Sequence, residues 1–204
     1  MSDFVKYLLV ILISYLIGNF APSYFMGKIV KNIDIREHGS GNAGATNAFR
    51  VLGALAGGIV FIFDVLKGVL AVHLGLWLTG SSLGGMVAGG MAVIGHDWPV
   101  MLRFKGGKGI ASSLGLVLVL FPKVGLILLG FGLAVIFITR YVSLGSICAV
   151  VLCPILLVVF GEPVELCLIA VILAAIAVLR HRENILRMLK GTENRISFSK
   201  KRGR

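Results

Sequence analysis

Between Ile110 and Thr139 the chain runs thirty residues with Lys123 as its single charge. A stretch so long and so apolar asks for hydrocarbon around it, yet at about 1.5 Å per residue it exceeds the roughly 30 Å it would have to cross. Treated as one span, it would also place Arg140 and the basic C-terminal segment opposite the other basic loops, against the tendency of Lys and Arg to collect on the cytoplasmic side. A break at Pro122 removes the conflict. It predicts a short helix over 110–120, about 16 Å long and unable to cross alone, and a second over 123–139. The loop 105–109 is then expected to dip into the membrane to meet the short helix, which backbone tolerates where it is buried in protein or lines a wet cavity.

Further apolar segments at 4–26, 51–79, 83–101, 142–160 and 164–179 extend the pattern. With 57% hydrophobic residues and a mean hydropathy of +0.97, the chain reads as an all-α membrane protein forming a single domain over 1–204. Seven transmembrane helices are expected, with the N-terminus outside, the C-terminus cytoplasmic, and re-entrant or interfacial glycine-rich loops on the cytoplasmic face. Gly80-Ser81-Ser82 and Gly161-Glu162-Pro163 read as outer turns. The segment 51–79 is too long for one perpendicular span, so it must tilt, extend or break. Within it, Asp64 and Lys67 are spaced to pair on one helical face, as a structural pair turned toward the bundle in preference to a catalytic dyad, although charges inside a membrane are functional candidates by default. His73 reads as a packing or interfacial residue. Gly53xxxGly57 and Gly85xxxGly89 read as close-packing faces. Met1-Ser2-Asp3 lacks the basic start of a cleavable signal peptide. Cys148, Cys153 and Cys167 lie inside apolar segments without metal or disulfide spacing and are expected to be buried thiols.

The net charge is +11, which could signal nucleic acid. The basic residues instead gather in patches at the ends of apolar segments, so anionic head groups and phosphorylated ligands fit better than a nucleic-acid partner. Residues 197–204 form a basic tail.

Three polar segments carry the chemistry. The first is GSGNAGATNAFR, residues 39–50. Its small residues, Gly39 and Gly44 among them, allow close backbone approach. Ser40, Asn42, Thr46 and Asn47 offer neutral hydrogen bonds, and Arg50 can grip a phosphate with two of them. A plain loop ending in a Thr46 or Asn47 helix cap is the alternative.

The second is Lys105-Gly106-Gly107-Lys108-Gly109, within GHDWPVMLRFKGGKGIASSLG at 95–115. Glycines let successive N–H groups turn toward one point, and the lysines add full charges, which together describe an anion cradle. It is not a nucleotide P-loop, because Leu102 and Gly109 stand where that motif needs Gly and Ser or Thr. His96 is expected chiefly to hold this loop and secondarily to touch substrate; Lys105 is the less central lysine.

The third is RHRENILRMLKGTENR, residues 180–195. A short amphipathic helix through Ile185, Leu186, Met188 and Leu189 should lie at the interface, stopped by Gly191. His181 and Asn184 share one of its faces.

In order and spacing, these three segments resemble the cytoplasmic motifs of the bacterial PlsY family, the acyl-phosphate:glycerol-3-phosphate acyltransferases. The resemblance runs from about residue 4 to 196, with Met101 and Ser112 standing where an aromatic and a threonine are expected. It implies transfer of an acyl group from acyl phosphate to the 1-hydroxyl of glycerol 3-phosphate, giving lysophosphatidate and phosphate. It implies a bacterial inner-membrane enzyme with its site toward the cytoplasm, without metal or cofactor, and without coenzyme A or acyl carrier protein as direct donor. By the same carry-over, Ser40, Lys108 and His181 are catalytic. Gly39, Asn42, Gly44, Thr46, Asn47, Arg50, His96, Lys105, Gly106, Gly107, Gly109 and Asn184 bind substrate, the Gly106 to Gly109 backbone receiving the acyl phosphate. Seven spans can enclose such a site in a monomer.

The residues are coherent with that chemistry. Both substrates carry phosphate, and the sequence supplies two basic glycine-rich loops and a third basic segment. No His-x4-Asp pair and no GxSxG elbow is present, so the leaving phosphate or the substrate's own phosphate is a possible proton acceptor, with His181 the alternative base. An organic-phosphate transporter would share the basic loops but calls for polar groups at mid-membrane, where only Asp64 and Lys67 are found. A lipid-binding structural protein would not need Ser40, Asn42, Asn47 and Asn184.

Overall fold

The computed structural model describes residues 1–196, and the tail 197–204, including Lys200 to Arg204, lies outside the described residues. The described chain is helical throughout its regular elements: α1 (Asp3–Asn19), α2 (Pro22–Lys31), α3 (Ala45–Leu52), α4 (Ala54–Thr79), α5 (Ser82–Asp97), α6 (Ile110–Leu120), α7 (Pro122–Thr139), α8 (Val142–Val159), α9 (Val164–Arg180) and α10 (Arg182–Leu189).

Four stretches among the described residues are long and apolar enough to cross a membrane: Asp3–Lys31, Ala54–Thr79, Pro122–Thr139 and Val142–Val159. The pair α9 and α10, bent by 54° at His181, makes a fifth if counted as one span. The break at Pro122 falls where expected, with Phe121 leaving helical geometry and the proline opening α7. Two other breaks were not located by the sequence, although a break was one of the outcomes open to the segment 51–79. The first apolar segment divides at Phe20-Ala21 before Pro22. The second divides at Gly53, whose φ of +96° separates α3 from α4. Gly53 has open space where a Cβ would stand, so it acts as a hinge rather than as a packing face.

The closest helix contacts lie elsewhere. A Cβ on Gly18 would meet the Ala92 carbonyl oxygen at 2.2 Å and one on Gly95 would meet that of Tyr15 at 2.2 Å, so α1 and α5 touch backbone to backbone. Gly68 and Gly115 do the same for α4 and α6, against the carbonyls of Ser112 and Val65. Gly57, Gly85 and Gly89 receive side chains, those of Phe49, Leu76 and Leu116. His73 lies on the exposed face of α4 rather than packed in the bundle. Cys148 and Cys153 are half-buried, Cys167 is buried, and all three are free thiols.

Hydrogen bonds fix which ends meet. The Tyr7 hydroxyl reaches Ser81 Oγ at 3.3 Å, joining the start of α1 to the turn between α4 and α5. At the other end Tyr15 donates to the Trp98 carbonyl and Asn19 accepts from Val100 N–H. Ile196 N–H donates to the Arg140 carbonyl at 2.9 Å, which brings Arg140 to the same end as α10. That is the arrangement the break at Pro122 was expected to produce. Residues 28–50, 98–109, 140–143 and 180–196 therefore gather at one end of the bundle.

Candidate functional site

At that end opens a cavity of about 740 Å³. Ser40, Asn42, Thr46, Arg50, Lys108, His181 and Asn184 line its polar mouth, and Leu114, Leu129, Leu133, Val150 and Ala174 line an apolar extension between the helices.

The first polar segment is shaped by Asn47. Its Oδ1 accepts from Ser40 N–H at 2.8 Å, while its Nδ2 donates to the carbonyls of Ile35 and His38. This buried amide is a staple inside α3 that holds the loop carrying Ser40 and Asn42. Neither Thr46 nor Asn47 caps the helix, whose N-cap is Gly44 in extended conformation. Gly39, at φ +64°, turns the loop against the Asn47 side chain and does not line the cavity, whereas Gly44 does.

The glycine-rich loop divides by function in a way its sequence does not reveal. A Cβ on Gly106 would lie 2.0 Å from the His96 carbonyl oxygen, and one on Gly107 would lie 1.9 Å from His96 Nε2. Gly107 N–H donates to the His96 carbonyl at 3.0 Å. The Arg180 guanidinium binds the Gly107 carbonyl at 2.7 and 3.2 Å, reaches those of Asp97 and Gly106, and stacks over Trp98. Gly106 and Gly107 are thus packed onto α5 and away from the cavity. Only Lys108 and Gly109 of this loop line it, together with Ile110, Ala111 and Ser113 at the start of α6. The expected cradle narrows to Lys108, Gly109 and the positive end of a short helix. Lys105 is exposed on the other side of the loop, beside Tyr24, Arg36 and Met101, and does not join the site.

The third segment completes the mouth. Lys108 Nζ donates to Asn184 Oδ1. Asn184 Nδ2 donates to Glu193 Oε1 at 2.7 Å, Ser143 Oγ to the same oxygen at 2.9 Å, and Arg187 Nε to Oε2 at 2.7 Å. Burial alone would raise the Glu193 carboxyl, but the bonds from Asn184, Arg187 and Ser143 prevail and hold it below its ordinary value. Burial first, and the nearby Arg187 charge second, push Lys108 down to about 8. The His181 ring lies 2.7 Å through Nδ1 from the Ala177 carbonyl. A carbonyl can only accept, so Nδ1 carries the hydrogen, and Nε2 of the neutral ring is the acceptor left for a ligand.

His96, also on the cavity wall, is buried beside an intramembrane pair in which Lys67 Nζ lies 2.8 Å from Asp64 Oδ1. Sequence reasoning left Arg180, Glu193 and Ser143 without a role. The first two lie inside the third motif and were open to finding as charges fixed next to His181 and Asn184. Ser143 sits in an apolar run and gave no signal.

Known proteins resemble this chain over nearly its whole length. Residues 8–191 match the family of glycerol-3-phosphate acyltransferases. A glycerol-3-phosphate acyltransferase of Thermoanaerobacter sp. (strain X514) is 50% identical over 185 residues, covering 91% of this chain and 93% of that protein. One from Clostridioides difficile (strain 630) is 41% identical over 205 residues, covering 97% and 99%. The crystal structure of PlsY, an integral membrane glycerol 3-phosphate acyltransferase, in its glycerol 3-phosphate form superposes with a TM-score of 0.86 at 38% identity, covering 94% of this chain and 96% of that one. A lysophosphatidic acid form of the same protein superposes equally well. With the motifs, the fold and these relatives in agreement, the chain belongs to the PlsY family of glycerol-3-phosphate acyltransferases and is a multi-pass membrane acyltransferase.

Proposed function

We propose that the protein transfers a fatty acyl group from acyl phosphate to the 1-hydroxyl of glycerol 3-phosphate, forming lysophosphatidate and inorganic phosphate. The observation that carries this is one cavity with a cationic, hydrogen-bonding mouth and a continuous apolar extension. A phosphorylated head and an alkyl chain need those two environments side by side.

In this reading the 1-hydroxyl oxygen attacks the acyl carbon, the bond from that carbon to the phosphate oxygen breaks, and phosphate leaves. Acyl phosphate is a mixed anhydride with a good leaving group, so positioning and charge stabilisation suffice. Lys108 and the start of α6 receive the acyl phosphate, and Ser40 and His181 orient the reacting groups. Asn42, Thr46, Arg50 and Asn184 hold glycerol 3-phosphate. The hydroxyl proton passes to the leaving phosphate or to the substrate's own phosphate. Seven membrane-crossing or re-entrant segments, an outer N-terminus and a cytoplasmic site in the bacterial inner membrane complete the proposal, with the monomer as the working unit.

The test is phosphate release and lysophosphatidate formation from palmitoyl phosphate and glycerol 3-phosphate by the purified protein in detergent or lipidic phase. Both products should appear, and phosphate release should require glycerol 3-phosphate. Folded protein that binds glycerol 3-phosphate without making product refutes the proposal and leaves transport of an organic phosphate as the reading to pursue.

A further inference from the structure

Lys67 Nζ sits among four partners deep in the bundle: Asp64 Oδ1 at 2.8 Å, the carbonyls of Gly18 at 3.3 Å and Phe20 at 3.0 Å, and Nδ1 of His96 at 2.5 Å. Asp64 Oδ1 also lies 3.3 Å from Nδ1, but the shorter contact is the one to Lys67, and an ammonium group has only hydrogens to give, so Nδ1 accepts and the neutral ring carries its proton on Nε2. Nε2 is the atom against which Gly107 packs. The carbonyl of the same histidine takes the Gly107 N–H. His96 therefore grips the glycine loop at two points, one residue before Lys108, while also lining the cavity.

Stability alone is a weak reason for such a pair. Asp64 and Lys67 are 1% and 3% exposed, and buried ion pairs replaced by neutral residues of similar size are often no less stable. What these two charges do that apolar residues cannot is orient an imidazole.

We propose that Asp64 and Lys67 are positioning residues for acyl transfer: the pair fixes the ring and tautomer of His96, and through His96 the depth at which Gly107 presents Lys108 to the cavity. This rests on the acyl-transfer reading above. Asp64 holds the Lys67 charge, Lys67 holds the ring, and the ring holds the loop.

The test is the double variant Asp64→Leu/Lys67→Met, which removes both charges together, so that neither is left buried without the other, and leaves no side-chain donor from α4 facing His96 Nδ1. It is measured alone and in a His96→Ala background. The expected result is near-wild-type thermal unfolding with kcat reduced about tenfold to a hundredfold, as for a misplaced catalytic group, and KM for glycerol 3-phosphate changed far less. In the His96→Ala background the double variant should cost nothing further, because residues acting through one another are not additive. Asp64→Leu/Lys67→Gln, which returns an N–H donor toward Nδ1, should recover turnover relative to the Met version. An unchanged kcat, losses that multiply with His96→Ala, or equal losses for Met and Gln would each overturn the proposal. Amide hydrogen exchange over residues 105–110 gives a readout independent of turnover. Faster exchange is expected in the Met version and exchange nearer to wild type in the Gln version, and unchanged protection in the Met version refutes the positioning role. A wild type that makes no product counts against acyl transfer alone.

Discussion

Lys108 meets its partner Asn184 at the polar mouth and titrates near 8, well inside the range where enzymes are assayed. A lysine whose value is lowered is cationic below it and neutral above it. If the ammonium holds the acyl phosphate, kcat/KM should fall as pH rises through about 8 in the free enzyme. Lys108→Arg, which stays charged at any working pH, should abolish that limb even while lowering the maximal rate. A pH–rate series on the two proteins checks this. Lys108→Ala should cost about a hundredfold in phosphate release, the size expected for one lost transition-state charge contact. Lys105→Ala should leave the rate within about twofold, since Lys105 faces away from the cavity and exposed charges contribute little. The sequence could rank these lysines but not separate them. Two identical side chains three residues apart in a glycine loop differ only in which way the backbone turns, and that is set by the His96 ring at the end of α5 and by the Arg180 guanidinium, the latter far away in sequence.

Among elements, the bundle depends on helices whose backbones touch. Gly68→Val drives a side chain into the Ser112 carbonyl and should destabilise the protein by at least about 2 kcal/mol, the usual scale of overpacking. Gly130→Ala, in α7 with nothing within 4 Å of its Cβ, should be neutral or stabilising by about 0.5–1 kcal/mol. Thermal unfolding in one detergent compares the two. The break between α6 and α7 was legible because a proline and the placement of Arg140 both demanded it. The break at Gly53 was not, since a glycine in an apolar run reads equally as a hinge or as a packing notch. The deciding fact is whether a neighbour fills its missing side chain. For the same reason the contact of Gly18 with Gly95 escaped notice, because their spacing has meaning only once α1 and α5 are side by side.

The whole molecule is closed at its polar end by its own last described residues. Glu193 binds Ser143, Asn184 and Arg187, Arg195 donates to the Tyr141 hydroxyl at 2.9 Å and stacks on its ring, and Ile196 donates to the Arg140 carbonyl. This strap ties α10 to the turn between α7 and α8 across the mouth of the cavity. Ending the chain after Gly191 should therefore reduce acyl transfer at least about tenfold, since Asn184 and Lys108 lose their support, while the membrane helices stay assembled. Activity and size-exclusion profiles of the shortened protein measure both halves of that expectation. The third motif was visible in sequence as a basic segment with a histidine and an asparagine on one face. Its return over Ser143 was not, because nothing local in an apolar helix start marks a partner fifty residues away. The buried pair in α4 bears on how such a molecule is made. A lone lysine at the centre of a helix costs about 2.5–3.5 kcal/mol to insert, and α4 leaves the ribosome before α5 brings His96. Because Asp64 lies one turn ahead of Lys67 in the same helix, α4 meets the lipid as an electrically neutral segment, carrying its own counter-ion until the rest of the bundle arrives.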